Sequence, residues 1–485
     1  MMMNISPECF LLRKQNPSAK AVISSKNIYT FAELRQKVLR VSQFLMERGI
    51  DSNDKVGIIS NSNVDFVSAV LALWQLSAIP VPINTRLTET EIKEQLIAAS
   101  CKTVLVQAEL SDKIASDELQ IIEIPLYINF DVSFLERNEI HLNAPAVILY
   151  TSGSEGKSKG VVLSFESLFN SAVNSNHLLR YTHSDRWLAS LPFYHVGGFS
   201  IVTRSLVFGI PLIIPDSLTS KNISDALSNN QPAFISLVAA QLKQLVEEEI
   251  KPNSELKNCL LGGGFSDNEL IKNAIELGWP INKVYGSTET SSFITALLSD
   301  EFIIKPNSVG RALPSNRIII MGEDKTESRP FEIGEVVVRS NSLMLGYISE
   351  LETGNFLHKE IYYTGDLGYL DEDGYLFIEG RKNYLISTGG ENVNAKEVEN
   401  ALLQHPSISE AAVFPIEDGK WGEIVAASIV LKDSSIEVYY ADLKSFLQTN
   451  LAGFKIPKKI FIEKNLPKTE LGKVEKDKLM KRYKL

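Results

Sequence analysis

Apolar residues over the first 300 positions occur either in short continuous runs or at helical spacing. Residues 56–60 and 104–106 are short apolar runs typical of buried strands, whereas residues 66–76 have the length and composition of a helix. Another helix is expected to begin after Thr30, which opens a capping-box pattern, and to end at Gly49. Strands that alternate with helices in this way predict mostly parallel sheets covered by helices on both faces.

The pattern changes twice further along the chain. From about residue 305 the apolar runs are shorter and are separated by Gly, Asn and Asp turns, which predicts a β-rich subdomain. A second break at residues 381–384 precedes a compact α+β unit. We therefore predict an α/β fold with a large N-terminal domain of mostly parallel sheets and helices, residues 1–382, that includes the β-rich subdomain at about 305–382. A small α+β domain is predicted over residues 383–485.

Composition limits the function classes. The chain has 485 residues, 44% of them hydrophobic and 22% charged, with a net charge of −10, which argues against nucleic acid as a partner. Its three cysteines are far apart and its six histidines lack ligand spacing, so no disulfide framework or histidine–cysteine metal site is expected. No apolar run reaches the roughly 18 residues that a membrane helix needs, and no signal peptide is evident. A cytoplasmic enzyme without membrane insertion is predicted, with homo-oligomer formation left open.

A loop rich in Gly, Ser and Lys separates the apolar runs at residues 146–150 and 161–163. Backbone N–H groups in such a loop, together with Lys157 and Lys159, suit an anion such as phosphate. Thr151 stands where a Walker-type phosphate loop has its first glycine, so that motif is excluded. A flexible hairpin loop without a ligand is the alternative interpretation.

Seven segments of the chain, in order, resemble the acyl-adenylate-forming superfamily, which contains acyl-CoA ligases, luciferases and peptide-synthetase adenylation domains. These segments are residues 146–160, 191–198, 261–264, 284–290, 363–381, 387–399 and 466–474. The resemblance implies an AMP-forming acid–thiol ligase that uses ATP, Mg²⁺, CoA and a small-molecule carboxylic acid. It also implies that the C-terminal domain is mobile and rotates between two half-reactions about a hinge at Asn383.

The same resemblance assigns roles to individual residues. The phosphates of ATP are expected at Thr151, Ser152, Gly153, Ser154, Gly156, Lys157 and Lys159. The rest of the nucleotide is expected at Gly262, Gly263, Gly264, Tyr285, Gly286, Asp366 and Arg381. The catalytic residues are expected to be Lys473, Glu289, Thr288 and His195, with Glu289 as the metal ligand. Gly389 and Gly390 are expected to line the channel for CoA.

These residue types fit the chemistry. The Asp366 carboxylate can accept hydrogen bonds from both hydroxyls of a ribose, and the Glu289 carboxylate is a suitable ligand for a hard cation. The Lys473 ammonium would stabilise charge that develops in the transition state. Each residue also has an ordinary interpretation when taken singly, as a turn residue, a solvated residue at a helix start, or one of many C-terminal lysines.

The acyl group is expected at Arg204, His195 and Ser236. Arg204 lies on a predicted helix over residues 199–208 in apolar surroundings, so it either faces solvent or binds an anion within the pocket. The neighbouring segments resemble those superfamily members that are 2-succinylbenzoate–CoA ligases of menaquinone synthesis. That resemblance implies a dicarboxylate substrate whose second carboxylate meets Arg204. An acyl- or aryl-CoA ligase of other specificity and a non-catalytic nucleotide-binding relative are the alternatives.

The chain departs from the superfamily pattern at several motif positions. Glu155 places an anion within the phosphate loop, and Ser158 stands where proline is usual. Asn383 replaces the usual Asp or Lys of the hinge. Asn394 and Ala395 replace the usual Tyr-Pro, which leaves the details of the CoA channel undetermined by the sequence.

Overall fold

The computed structural model describes residues 6–124, 139–151, 158–264, 266, 268–322, 324–351, 361–381, 385–433, 438–467, 474 and 476–483. The α-helices in these ranges are α1 (Phe31–Glu47), α2 (Val64–Gln75), α3 (Glu89–Ala98), α4 (Phe165–Leu179), α5 (Val196–Phe208), α6 (Ser220–Asn230), α7 (Ala239–Glu247), α8 (Asn268–Glu276), α9 (Ser299–Phe302), α10 (Ile348–Leu351), α11 (Ala395–Leu403), α12 (Tyr440–Gln448) and α13 (Lys476–Tyr483). Short 3₁₀ helices span Pro7–Leu11, Ala108–Lys113 and Thr288–Thr290.

The strands in the same ranges belong to five sheets. They are β1 (Lys20–Ser24), β2 (Ile28–Thr30), β3 (Lys55–Ile59), β4 (Ile79–Pro82), β5 (Thr103–Gln107), β6 (Gln120–Ile124), β7 (Pro145–Thr151), β8 (Lys159–Ser164), β9 (Trp187–Leu188), β10 (Leu212–Ile214), β11 (Phe234–Leu237), β12 (Asn258–Leu261), β13 (Ile281–Ser287), β14 (Ser292–Leu297), β15 (Arg311–Ala312), β16 (Asn316–Met321), β17 (Gly334–Ser340), β18 (Gly346–Tyr347), β19 (Ile361–Leu370), β20 (Leu376–Arg381), β21 (Leu385–Thr388), β22 (Glu391–Asn394), β23 (Ile408–Asp418), β24 (Gly422–Leu431) and β25 (Lys459–Ile462).

Two largely parallel sheets form the body of the N-terminal part. The larger has the order β15-β14-β13-β12-β11-β9-β10-β1-β2, parallel from β13 to β1 and antiparallel at both ends. The smaller, β4-β3-β5-β6, is entirely parallel. The predicted α/β class is therefore confirmed.

The predicted start of the first helix is also confirmed, since Thr30 and Glu33 form the capping box of α1. None of the helices in the described ranges has both the length and the apolar character needed to cross a bilayer.

The glycine-rich loop joins the two strands of an antiparallel hairpin. Strands β7 and β8 pair with each other, and β18 pairs with the other edge of β8. Thr151 lies opposite Lys159, so the two ends of the loop are adjacent. Residues 152–157 between them lie outside the described residues.

The β-rich subdomain is an antiparallel sheet of order β16-β17-β19-β20. The pairing of β19 with β20 places Asp366 opposite Arg381, so two residues predicted to bind the nucleotide are cross-strand neighbours. The predicted β-rich character of this region agrees with the structure, but the prediction of shorter strands is wrong. The four strands have 6, 7, 10 and 6 residues, because each pairs along most of its length with an antiparallel neighbour.

The C-terminal part is an α+β unit. Its sheet has the order β22-β21-β24-β23, with β25 parallel to β24. Residues of α11 and α12 form one core cluster against this sheet, and α13 contributes to a second. The boundary at residue 383 stays a prediction, because Asn383 is not among the described residues.

Candidate active site

The segment that contains Thr288 and Glu289 is a tight turn beside the phosphate hairpin, which is the pair of strands β7 and β8 on either side of the predicted phosphate loop. Strand β13 leads directly into this turn, and a Cβ at Gly286 would lie 2.1 Å from the Ser292 carbonyl oxygen, so only glycine fits there. The buried Glu289 carboxylate accepts a hydrogen bond of 3.1 Å from the Tyr347 hydroxyl. The Lys159 ammonium lies 5.3 Å from the centre of the Tyr347 ring. Tyr347 thus connects the phosphate hairpin to the predicted metal ligand, although no sequence motif pointed to it.

The donor set here fits a magnesium ion that is held mainly by its substrate. No cluster of three or more His, Cys, Asp and Glu side chains suited to a metal occurs within the described ranges. Mg²⁺ in nucleotide sites needs only one or two protein carboxylates, because phosphate oxygens and waters complete its octahedron. Glu289 can supply that single carboxylate.

The predicted nucleotide residues meet at one edge of the large sheet. The Tyr285 hydroxyl donates a hydrogen bond of 2.6 Å to Oδ2 of Asp366. A Cβ at Gly264 would lie 2.6 Å from Oγ of Ser387, and that hydroxyl donates to the Gly263 carbonyl at 3.1 Å. The glycine segment therefore has little room for side chains, and the Asp366 carboxylate lies next to the tyrosine that is expected to pack on the base.

Arg204 is almost completely buried on α5, with 1% of its surface exposed, which excludes the solvent-facing interpretation. Its two terminal nitrogens donate to Oγ of Ser200 at 3.0 Å and to Oγ of Ser292 at 2.9 Å. The guanidinium also lies over the rings of Phe293 and Trp187, with its carbon 4.7 and 5.4 Å from their centres. The helix begins at Val196, one turn earlier than predicted.

Among the described residues, no acidic side chain neutralises the Arg204 charge. Burial lowers the pKa of Arg204 to about 10, so the guanidinium is still charged at neutral pH, and within the described part of the chain no carboxylate forms an ion pair with it. Its buried Nε atom also lacks a hydrogen-bond partner there. An unpaired buried charge is costly, so this arrangement favours an anionic ligand. Ser292 lies opposite Ser287, the residue before Thr288, which places the arginine close to the predicted reaction centre.

Ser236, the other residue predicted for the acyl group, is buried at the carboxyl end of β11. Its carbonyl oxygen accepts a hydrogen bond from the Ser190 hydroxyl, and its N–H donates to the same hydroxyl at 3.3 Å. No hydrogen bond links Ser236 to Arg204 within the described ranges, so their shared role stays a prediction.

His195 is brought together with the C-terminal part through Glu391. Its Nε2 lies 3.1 Å from Oε2 of Glu391, whose carboxylate also accepts from Arg86 at 3.1 Å and from Asn84 at 3.2 Å. Burial acts to raise the pKa of Glu391, but His195 and Arg86 outweigh it and hold the pKa below its usual value. Sequence reasoning quoted Glu391 within a motif without giving it a role.

Gly389 and Gly390 form the narrow turn between β21 and β22. A Cβ at Gly389 would lie 2.6 Å from the Trp421 ring, and one at Gly390 would lie 3.2 Å from the Val238 side chain. Both glycines have positive φ angles, +58° and +84°, which other residues rarely adopt. The backbone therefore passes closely between Trp421 of the C-terminal part and Val238 of the N-terminal part.

Two lysine side chains lie beside Trp421. The Lys458 ammonium lies 3.8 Å from a ring centre of this tryptophan, and that of Lys420 lies 4.9 Å away. Burial lowers the pKa of Lys458. Sequence reasoning missed these residues, and the only available signal was a lone tryptophan that follows a lysine.

Several predicted site residues cannot be placed. Outside the described residues lie Ser152, Gly153, Ser154, Gly156, Lys157, Asn383 and Lys473, as does Glu155. The backbone of Arg381 is described without its side chain.

The chain is similar to known proteins over nearly its full length. Residues 12–348 match AMP-binding enzymes, and residues 397–473 match the C-terminal domain of AMP-binding enzymes. A 2-succinylbenzoate–CoA ligase of Listeria innocua is 33% identical over 476 residues, which cover 96% of this chain and 97% of the relative. One from a Geobacillus species is 32% identical over 468 residues, with 96% and 94% covered.

Solved structures of o-succinylbenzoate CoA synthetase from Bacillus subtilis are 30% identical to this chain. A double mutant bound to the product analogue OSB-NCoA has a TM-score of 0.91, with 98% of both chains covered. The same enzyme in complex with the acyl-adenylate OSB-AMP has a TM-score of 0.73 at the same coverage. Since the family match spans most of the sequence and the relatives are similar over nearly their full length, this chain belongs to the family of AMP-binding enzymes.

Proposed function

We propose that this protein is a 2-succinylbenzoate–CoA ligase of menaquinone biosynthesis. It adenylates its acid with ATP, releases pyrophosphate, and then transfers the acyl group to CoA with release of AMP. The observation that carries the choice of substrate is the buried Arg204 guanidinium, which has no carboxylate partner within the described residues. It donates to Ser292, and Ser292 lies opposite Ser287, the residue before Thr288. The names of the relatives in Listeria and Geobacillus support the same choice.

In the first half-reaction, a carboxylate oxygen of the acid attacks the α-phosphorus of ATP. A new O–P bond forms, and the bond to the pyrophosphate oxygen breaks. Lys159 binds the departing phosphates, the Thr288 hydroxyl donates to the α-phosphate, and Asp366 accepts from the ribose. Glu289 holds Mg²⁺, which when bound neutralises phosphate charge.

Arg204 orients the acid from the opposite end. The substrate carries a succinyl carboxylate that reacts and a ring carboxylate that does not. The Arg204 guanidinium is held by the hydroxyls of Ser200 and Ser292, so its direction is fixed before the ring carboxylate binds. Because Arg204 is buried, a charge-assisted hydrogen bond there discriminates strongly against acids that lack the second carboxylate.

In the second half-reaction, the CoA thiol sulfur attacks the acyl carbonyl carbon. A C–S bond forms, the C–O bond to AMP breaks, and the thiol proton passes to solvent. The pantetheine arm is expected to pass beside the turn at Gly389 and Gly390, where the backbone carries no side chains. Lys420 and Lys458 beside Trp421 supply positive charge for the phosphates of CoA. We place the enzyme in the cytoplasm, where the three buried free cysteines would stay reduced.

The substrate assignment predicts a clear preference in a pyrophosphate-release assay. We expect 2-succinylbenzoate to give kcat/KM at least about a hundredfold above benzoate, octanoate or any amino acid, because only the dicarboxylate pairs with Arg204. An equal rate with a monocarboxylate would overturn the choice of acid but not the family. No pyrophosphate release with any acid would favour a non-catalytic relative.

The channel assignment predicts that Gly389→Val will separate the half-reactions. The added side chain meets the Trp421 ring, so we expect acyl transfer to CoA to fall at least about tenfold while adenylate formation stays within about twofold of wild type. Rapid-quench measurement of each step gives the answer.

The matched control for this variant is Gly374→Val. Gly374 has a similar positive φ of +79°. Among the described residues, no atom beyond its chain neighbours lies within 4 Å of its Cβ position, so this variant reports backbone strain alone. If both variants slow the thioester step equally, strain rather than a blocked channel is responsible.

A further inference from the structure

A segment of the C-terminal part that no predicted site includes packs against the N-terminal part. This docking loop, residues 451–456, connects α12 to β25. Ala452 is 1% exposed and belongs to a core cluster formed otherwise by the N-terminal part, including Ile92 and Leu96 of α3. The guanidinium of Arg86 lies over the Phe454 ring, with its carbon 5.1 Å from the ring centre. The loop is therefore a close-packed contact between the two parts.

Lys455, within this loop, forms a buried ion pair across the same contact. Its Nζ lies 2.8 Å from Oε1 of Glu91 on α3 and 2.8 Å from Oε1 of Glu397 on α11. Lys455 is 7% exposed. Burial acts to lower the pKa of Lys455, but the two carboxylates outweigh it and raise the pKa, so the ammonium stays charged.

The two ion pairs differ in what they join. Lys455 and Glu397 belong to the same part of the chain and stay together when that part rotates. Lys455 and Glu91 belong to different parts, so their pair exists only in this orientation. In this orientation the whole chain has a TM-score of 0.91 with the Bacillus subtilis enzyme bound to a CoA product analogue, but only 0.73 with the same enzyme bound to its acyl-adenylate. The orientation of the C-terminal part therefore resembles that of the product-bound relative.

We propose that Lys455 is a positioning residue for thioester formation, because its ion pair with Glu91 holds the C-terminal part in the orientation that accepts CoA. This proposal rests on the two half-reactions of the proposed function. Lys455 contacts neither substrate nor reacting atoms in this role. It acts by setting the population of one orientation.

The surroundings allow the pair to be broken repeatedly. A buried charge that loses its only partner is strongly destabilising. When Lys455 separates from Glu91, it keeps its ion pair with Glu397. Glu91 keeps the hydrogen bonds that it accepts from the backbone N–H and the hydroxyl of Thr88, at 2.9 and 3.0 Å. Neither charge is left without a partner, so the contact can open after thioester formation and close again after adenylation.

The test measures the two half-reactions separately in Glu91→Gln. This variant keeps an oxygen to accept from Thr88. It removes the charge that faces Lys455 and places an amide NH2, which is a donor, against that ammonium. We expect acyl transfer from preformed acyl-adenylate to CoA to slow about tenfold, with adenylate formation within about twofold of wild type. Glu89→Gln, which changes an exposed carboxylate on the same helix that pairs with Lys93, is the matched control and should change neither step.

Double-mutant cycles separate positioning from simple stability. The effects of Lys455→Met and Glu91→Gln on the rate of thioester formation should be non-additive, whereas their effects on the rate of adenylation should be additive. The effects of Lys455→Met and Glu397→Gln on the midpoint of thermal unfolding should be non-additive, since that pair lies within one part of the chain. Equal slowing of both steps by Glu91→Gln, or no coupling to Lys455 in the thioester step, would overturn the proposal. If the wild-type protein itself formed no adenylate or thioester, the proposed function would fail instead, which the same assays report.

Discussion

Lys473→Ala is expected to lower the rate of adenylate formation by about a hundredfold or more. The resemblance to acyl-adenylate-forming enzymes places this ammonium between the attacking carboxylate and the α-phosphate, where negative charge builds up in the transition state. The same variant, supplied with preformed acyl-adenylate and CoA, should form the thioester at close to the wild-type rate. Single-turnover measurements of pyrophosphate release and of thioester formation give the two rates.

Lys481→Ala is the control for the loss of one C-terminal positive charge. Lys481 is exposed on α13, so neither half-reaction should respond to its removal. A parallel loss of both steps in Lys473→Ala would argue that one fixed domain orientation performs the whole reaction. In that case the rotation of the C-terminal part would have to be abandoned, and with it the positioning role of Lys455.

Local patterns were enough to predict most of the fold. The parallel strands were visible as short apolar runs because strands buried on both faces need no polar alternation. The start of α1 was visible because Thr30 and Glu33 are only three residues apart and satisfy each other's backbone groups. The hairpin around the phosphate loop was visible for the same reason, since its two strands are neighbours in sequence.

The contacts that complete the site could not be predicted in this way. The Arg204 guanidinium is held by Ser292, 88 residues away, and the Glu289 carboxylate by Tyr347, 58 residues away. Neither pair has a periodicity or a spacing that would mark it, because each forms only when separate strands and helices pack together. The helix around Arg204 was predictable, whereas the burial of its charge was not.

The contacts between the two parts of the chain have no local sequence pattern that predicts them, and they join residues that are even further apart in sequence. Glu391 meets His195 across 196 residues, and Lys455 meets Glu91 across 364. These contacts are present in the one orientation of the C-terminal part that the structure shows. A sequence motif can indicate that residues such as Glu391 matter, but under the proposed rotation their partners would change with the orientation. Measuring each half-reaction separately is therefore the most direct way to assign such residues.

Replacing Arg204 with methionine is expected to raise KM for 2-succinylbenzoate far more than KM for ATP. Loss of a buried charge-assisted pair costs about 2–4 kcal/mol, which corresponds to roughly 30- to 700-fold in affinity. Methionine fills a similar volume next to Phe293 and Trp187, so the loss should come from the charge rather than from a cavity. The variant's unfolding midpoint, measured in parallel, shows whether Ser200 and Ser292 tolerate the change.

A substrate analogue supplies the matched control. The analogue 3-benzoylpropanoate has the same reacting chain and ring but lacks the ring carboxylate, so wild-type enzyme should use it as poorly as the Arg204→Met variant uses 2-succinylbenzoate. Arg204→Met should then show little further loss with the analogue, because the interaction has already been removed from the other side. Arg204→Lys should recover part of the discrimination, since it keeps the charge but not the planar donor pair. Two outcomes would contradict this role: equal KM values of the wild type for the two acids, or an equal rise in both KM values in Arg204→Met. In either case Arg204 stabilises the pocket without binding the second carboxylate, and the choice of acid must rest on other residues.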